Sequence, residues 1–215
     1  MSDEESRDDK YKRQTNEQYA LLGKFVQAFE QMVDSIRTPC LFYLTNYGRH
    51  QQRINVVLHH NALGAQALFE IYRALIVDYM NNQTGFDAEE RKTVLSILSQ
   101  LAQDFSNLIK NRNYMLHGTW YIGWANETTQ DFSEISVHKF VVTAKGLEDA
   151  ELPTNVAEMR GWLDECDRIR GLISVLGNCT IGWPEFDALM VRRNFKKEGK
   201  KWVSLPTVSP SVGTM

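Results

Sequence analysis

The sequence has little of what marks a secreted, membrane-spanning or metal-bound protein. Among 215 residues there are only three cysteines, Cys40, Cys166 and Cys179, in odd number and without CxxC spacing. A disulfide framework is therefore not expected. No signal peptide is read, so free thiols in a reducing, cytoplasmic compartment are the expectation. No apolar run approaches the roughly 20 residues that a membrane-spanning helix needs. HExxH and Cys/His clusters are missing, so no metal is expected. His59 and His60 would point about 100° apart on a helix, and His50 and His138 stand alone. Neither a glycine-rich phosphate loop nor a βαβ alternation occurs, which argues against a nucleotide-fold enzyme, and no cofactor is expected.

What is present is an ordinary globular composition, 43% hydrophobic and 24% charged, with a net charge of -3. Charge is unevenly spread. Residues 191–202 carry six Lys/Arg against one Glu, leaving -8 for the remainder. The first ten residues are acidic. These contrasts suggest a flexible acidic N-terminus over 1–15, a helical domain over 16–190, and a basic segment with a disordered tail over 191–215.

Apolar residues recur at helical spacing in four stretches. The first runs from Tyr19 to Ile36, with Thr38-Pro39 as its expected stop and Leu41 to Tyr47 as a short aromatic connection. The second extends from about Gln51 to Met80. The third opens at Asp87-Ala88-Glu89-Glu90, which resembles a capping box with Glu90 reaching back, and continues through Ile109. The fourth begins at Thr154 or Asn155 and closes at Gly177-Asn178. Between the last two the period changes from 3.6 to 2. Thr119–Ala125 and Ile135–Thr143 read as a β-hairpin or a pair of short strands, followed by a loop over Lys145–Pro153. A short amphipathic piece, Pro184 to Val191, precedes the basic segment. The expected fold is mainly α, a four-to-five-helix bundle with a β-hairpin inserted at about 119–143.

Lys110 to Gly118 holds the densest chemistry: Arg112, Asn113 and His117 within six residues. On a helix Asn113 and His117 share a face, whereas Arg112 and His117 lie about 140° apart. The long arginine stem allows the guanidinium to lean toward that face, more readily if the helix breaks near Asn111. Such a trio suits phosphodiester cleavage: imidazole moves a proton near neutral pH, and guanidinium stabilises charge on a pentacoordinate phosphate. One histidine cannot readily serve both the 2′-hydroxyl and the leaving oxygen, so a two-fold dimer would supply the second. The same residues also fit a helix end, with His117 favoured by the macrodipole and Gly118 in the left-handed conformation.

Arg112-Asn113-Tyr114-Met115-Leu116-His117 resembles the Arg-polar-x-x-x-His signature of the HEPN (higher eukaryotes and prokaryotes nucleotide-binding) superfamily. The resemblance implies a HEPN-type bundle and a metal-independent endoribonuclease with a composite site across a homodimer. It also implies a toxin-antitoxin, phage-defence or RNA-processing setting, with a cognate antitoxin as one partner. Arg112 and His117 would be catalytic and Asn113 would assist. Some members paired with a nucleotidyltransferase antitoxin carry a Tyr two positions after the His; here Thr119 stands there. Arg192, Arg193, Lys196 and Lys197, interleaved with Phe195 and Trp202, are candidates for following an RNA backbone, or for a solvated tail. Trp120, Tyr121 and Trp124 are candidates for stacking on bases or packing on the bundle. The alternative to catalysis is a module of the same fold that binds RNA, nucleotide or protein without cleaving.

Overall fold

The computed structural model describes residues 6–45, 51–60, 63–82, 86–122, 131–144, 146–181 and 191–205. The expected amphipathic piece at Pro184, together with His50 and Trp124, lies outside them in whole or in part. The chain is mainly helical with antiparallel strands. It divides into two compact units, residues 1–31 with 106–167, and residues 32–105 with 168–215.

In the first unit, α1 (Arg7–Thr45) begins well before the apolar stripe. Ser6 caps it by accepting the Asp9 N–H at 3.2 Å, and Asp8 and Asp9 suit the positive end of the helix. Residues 7–15, expected to fray, are thus helical. Tyr11 packs edge-on against Phe132 at 5.1 Å, and Gln14 accepts the Phe132 N–H at 3.0 Å. Gln18, fully buried, donates to the Phe132 carbonyl. A charged, polar segment is held here by hydrogen bonds that no hydrophobic pattern announces.

After α4 (Ala88–His117) come β1 (Thr119–Ile122), β2 (Glu134–Thr143) and β3 (Gly146–Asn155), an antiparallel sheet in the order β1-β2-β3. The segment Lys145–Pro153, read as a loop, is therefore mostly a third strand. Its acidic residues and Pro153 argue against a strand, but β3 is an edge, the position in a sheet where proline is tolerated. Gly146, at φ 115°, makes the turn into it. Ile135 and Val137 bury one face of β2, together with Met115 and Met159 among the core residues of this unit. Asn155 caps α5 (Val156–Ile181) by accepting the Glu158 N–H at 2.9 Å.

In the second unit α1 continues through Pro39, the expected stop. Proline deletes one helix hydrogen bond, but Cys40 beyond it is fully buried and Tyr43 is bonded to Thr180, so tertiary contacts carry the helix on. The expected long second helix is two: α2 (Gln51–Leu58) and α3 (Ala65–Asn82). Arg37 Nε donates to the Leu58 carbonyl at 3.2 Å, and Gly64 opens α3 by accepting the Leu68 N–H at 3.0 Å. Phe69 stacks on Phe105 at 4.8 Å within the core. α5 runs past its expected end at Gly177 to Ile181, with Thr180 buried.

Asp87 caps α4 as expected, accepting the Glu90 N–H at 2.7 Å. Glu90 does not reach back. Its carboxylate is buried and takes Arg192 Nε at 2.8 Å and the Arg192 N–H at 3.2 Å. The basic segment is accordingly folded: α6 (Val191–Asn194) leads into a hairpin of β4 (Phe195–Glu198) and β5 (Lys201–Ser204). Trp202 fixes it through its N–H to Gln100 at 2.8 Å and its indole to Ser96 at 3.1 Å.

Candidate functional site

The motif occupies the last turns of α4, which stays continuous through Asn111 to His117. The Gly118 N–H reaches the Tyr114 carbonyl at 2.8 Å, and the Trp120 indole donates to the Met115 carbonyl at 2.6 Å. Two of the carbonyls that a helix end leaves open are so satisfied. Gly118 is needed for space and not for a left-handed φ: a Cβ there would lie 2.4 Å from Val137 Cγ1 and 2.6 Å from the Tyr114 carbonyl. The chain passes there directly from helix to sheet.

Arg112 is half-buried and turned toward α1. Its Nη2 donates to Glu30 Oε1 at 3.2 Å, its Nη1 to Asn113 Oδ1 at 3.4 Å, and its Cζ lies 5.7 Å from the centre of the Phe29 ring. Its Nε is buried without a hydrogen-bond partner among the described residues. The carboxylate that the structure gives to Arg112 is therefore Glu30 of α1. His117 is exposed at the helix terminus, four residues from Asn113 on the same face. The fold thus joins Arg112 to Asn113 and leaves His117 open to solvent. The helix break that would ease convergence does not occur.

The other proposed RNA contacts are unequal. Arg192 is committed to Glu90 and, at 2.9 Å, to Asp87. Lys196 pairs with Glu198 at 2.7 Å and Lys197 lies 5.1 Å over the Trp202 ring, while Arg193 is exposed. No group of three His, Cys, Asp or Glu that could hold a metal occurs among the described residues, and no described helix is long and apolar enough to cross a membrane.

A polar network that the sequence did not reveal lies on the sheet. His138, read as isolated, has Nδ1 2.8 Å from Asp149 Oδ2 and Nε2 2.8 Å from Ser136 Oγ. Ser136 also donates to Glu151 Oε1 at 2.6 Å. The spacing Ser136-x-His138 on a strand was a signal, since alternate residues share a face. Its partners were hidden because β3 did not read as a strand. A cavity of about 610 Å³ adjoins this network, lined by Tyr121, Ser136, His138 and the carboxylates of Glu134, Glu151 and Glu158, among others.

No family model, no curated protein and no solved structure matches the chain.

Proposed function

We propose that the chain is a metal-independent endoribonuclease in which Arg112, Asn113 and His117 form a half-site completed by a second copy of the chain. The observation that supports this most is the placing of two side chains at the end of α4. The Arg112 guanidinium is held in one orientation by Asn113, Glu30 and Phe29, and His117, the last residue of the helix, is exposed. A held guanidinium needs little reorganisation to meet a phosphate, and an exposed imidazole can reach one. In the proposed reaction one His117 takes the 2′-hydroxyl proton, the ribose oxygen attacks phosphorus, and His117 of the second copy protonates the departing 5′-oxygen. Arg112 neutralises the pentacoordinate phosphate, and Asn113 orients Arg112. The wider roles implied by the resemblance, a toxin or phage-defence effector with a cognate antitoxin, rest on this same reading.

The test is cleavage of RNA in EDTA by the full chain. His117→Ala and Arg112→Ala are expected to lose about 10²–10⁴-fold in rate, the usual contribution of a positioned acid–base group. Unchanged rates would remove the proposal.

One observation favours the second reading, a non-catalytic module for RNA, nucleotide or protein. Glu30 already neutralises Arg112, as in a structural tie within the first unit. That reading expects RNA binding without products, and removal of residues 191–215 harming binding more than His117→Ala.

A further inference from the structure

The sheet network carries an inference that does not depend on the RNA reading. Strand register builds it. Ser136 and His138 share a face of β2, Tyr121 stands opposite Ser136 on β1, and Glu151 opposite His138 on β3. Asp149, two residues from Glu151, lies on the same face. The imidazole is steadied by the Tyr121 ring, edge-on at 5.1 Å, and by Phe140, stacked at 6.5 Å. Both of its nitrogens are engaged: Nδ1 by the Asp149 carboxylate, and Nε2 by the Ser136 hydroxyl, with Glu151 Oε1 at 3.8 Å behind it. A carboxylate on Nδ1 fixes the tautomer that leaves Nε2 to accept a proton. Nucleophile, base and orienting acid are thus in order along one line of hydrogen bonds, facing a cavity of the size that small molecules occupy.

We propose that this face is an esterase site for carboxylic esters carrying a positive charge, with Ser136 as nucleophile, His138 as general base and Asp149 as the positioning residue. Ser136 has two acceptors, His138 Nε2 and Glu151 Oε1. While Glu151 holds its proton, the base is idle. A substrate cation that pairs with Glu151 releases the hydroxyl to His138. Glu134 and Glu158 on the same wall give the charge preference, and the wall has no Lys or Arg among the described residues. Ser136 Oγ then bonds to the ester carbonyl carbon as His138 Nε2 takes the Ser136 proton. The carbon–oxygen bond to the alcohol breaks, and the alcohol leaves with that proton. Water adds to the acyl-serine, giving a proton to His138. The acid departs, and Ser136 regains its proton. Asn155, whose side-chain oxygen is occupied by the Glu158 N–H, lines the same cavity, and its amide is assigned to the oxyanion.

The experiment treats the full chain with a fluorophosphonate probe and maps the adduct by peptide mass, alongside hydrolysis of the p-nitrophenyl esters of lysine and of acetate. The expected result is one adduct, on Ser136, and faster turnover of the lysine ester. Both are expected to fall by about 10²-fold or more in Ser136→Ala and in His138→Gln, with circular dichroism unchanged. Absence of a Ser136 adduct, or hydrolysis indifferent to both variants, overturns the site. An acetate ester turned over as fast as the lysine ester overturns the charge preference. If Ser136→Ala fails to fold, the adduct on the wild-type chain and the His138→Gln rate decide.

Discussion

The first unit carries two histidines in opposite situations. His117 ends a helix, exposed, with its sequence neighbours Arg112 and Asn113 turned to each other and to Glu30. His138 sits mid-strand with both nitrogens occupied by residues from two strands. The difference follows from geometry. Five residues on a continuous helix rotate by about 140°, so a helical motif cannot close on itself and needs a second chain to become a site. A strand repeats every two residues, and its neighbour supplies partners about 5 Å away, so a sheet can assemble a relay within one chain. A motif dense in sequence is thus open in space, and a scattered set is closed.

The sharpest way to break this contrast is to remove each imidazole in turn. His117→Ala is expected to abolish RNA cleavage, by about 10²–10⁴-fold, and to leave fluorophosphonate labelling of Ser136 in place. His138→Gln is expected to do the reverse. If both activities follow one histidine, the two constellations are not separate sites.

Next in size is Gly118→Ala, at the junction between helix and sheet. The added Cβ would meet Val137 Cγ1 at 2.4 Å and the Tyr114 carbonyl at 2.6 Å. Overpacking of that kind costs about 1–3 kcal/mol, and the backbone oxygen cannot step aside as a side chain does. Urea unfolding checks it, and a midpoint equal to wild type would show that β2 does not press on the helix end.

Asn155→Ala removes the cap of α5 and is expected to cost about 1 kcal/mol in the same measurement. A much larger loss would mean that Asn155 does more than cap.

The smallest effect concerns acid. Gln14 donating to Asp131 at 2.8 Å, with the Ser133 N–H at 3.1 Å, holds the Asp131 carboxyl below its ordinary value. A depressed folded value means that its stabilising contribution is present above the unfolded value of 3.8 and lost as pH falls through the folded one. Asp131→Asn should flatten the stability–pH curve slightly below about pH 4 and lower stability slightly at neutral pH, where the carboxylate's contribution is otherwise fully present. Acid titration followed by tryptophan fluorescence reads this, and identical curves would remove Asp131 from the account.

The buried thiols offer a contrast in the second unit. Burial pushes Cys40 up to about 12 and Cys179 to about 11, which suits core residues and gives no reason to seek a reactive cysteine there.

Local patterns were readable where local physics decides. The α4 stripe, the Asp87 cap, the helical spacing of α5 and the pairing of Thr119–Ile122 with β2 follow from periodicity and capping chemistry, which act over a few residues. Tertiary contacts overrode the local signal elsewhere. Cys40 and Tyr43, packed in the second unit, carry α1 past Pro39. Phe132 and Gln18 order the charged start of that helix, and β2 turns an acidic, proline-bearing stretch into an edge strand. Glu90 left its capping box for Arg192, because a buried carboxylate gains more from a guanidinium than from one backbone N–H. By itself, then, the sequence determined the mainly helical character, the cap of α4 and the Arg112–His117 motif. Only the tertiary structure decided that Arg112 answers to Glu30 and that His138 answers to Asp149. Partners distant in sequence are chosen by register and packing, and neither is written in the spacing of residues along one strand or helix.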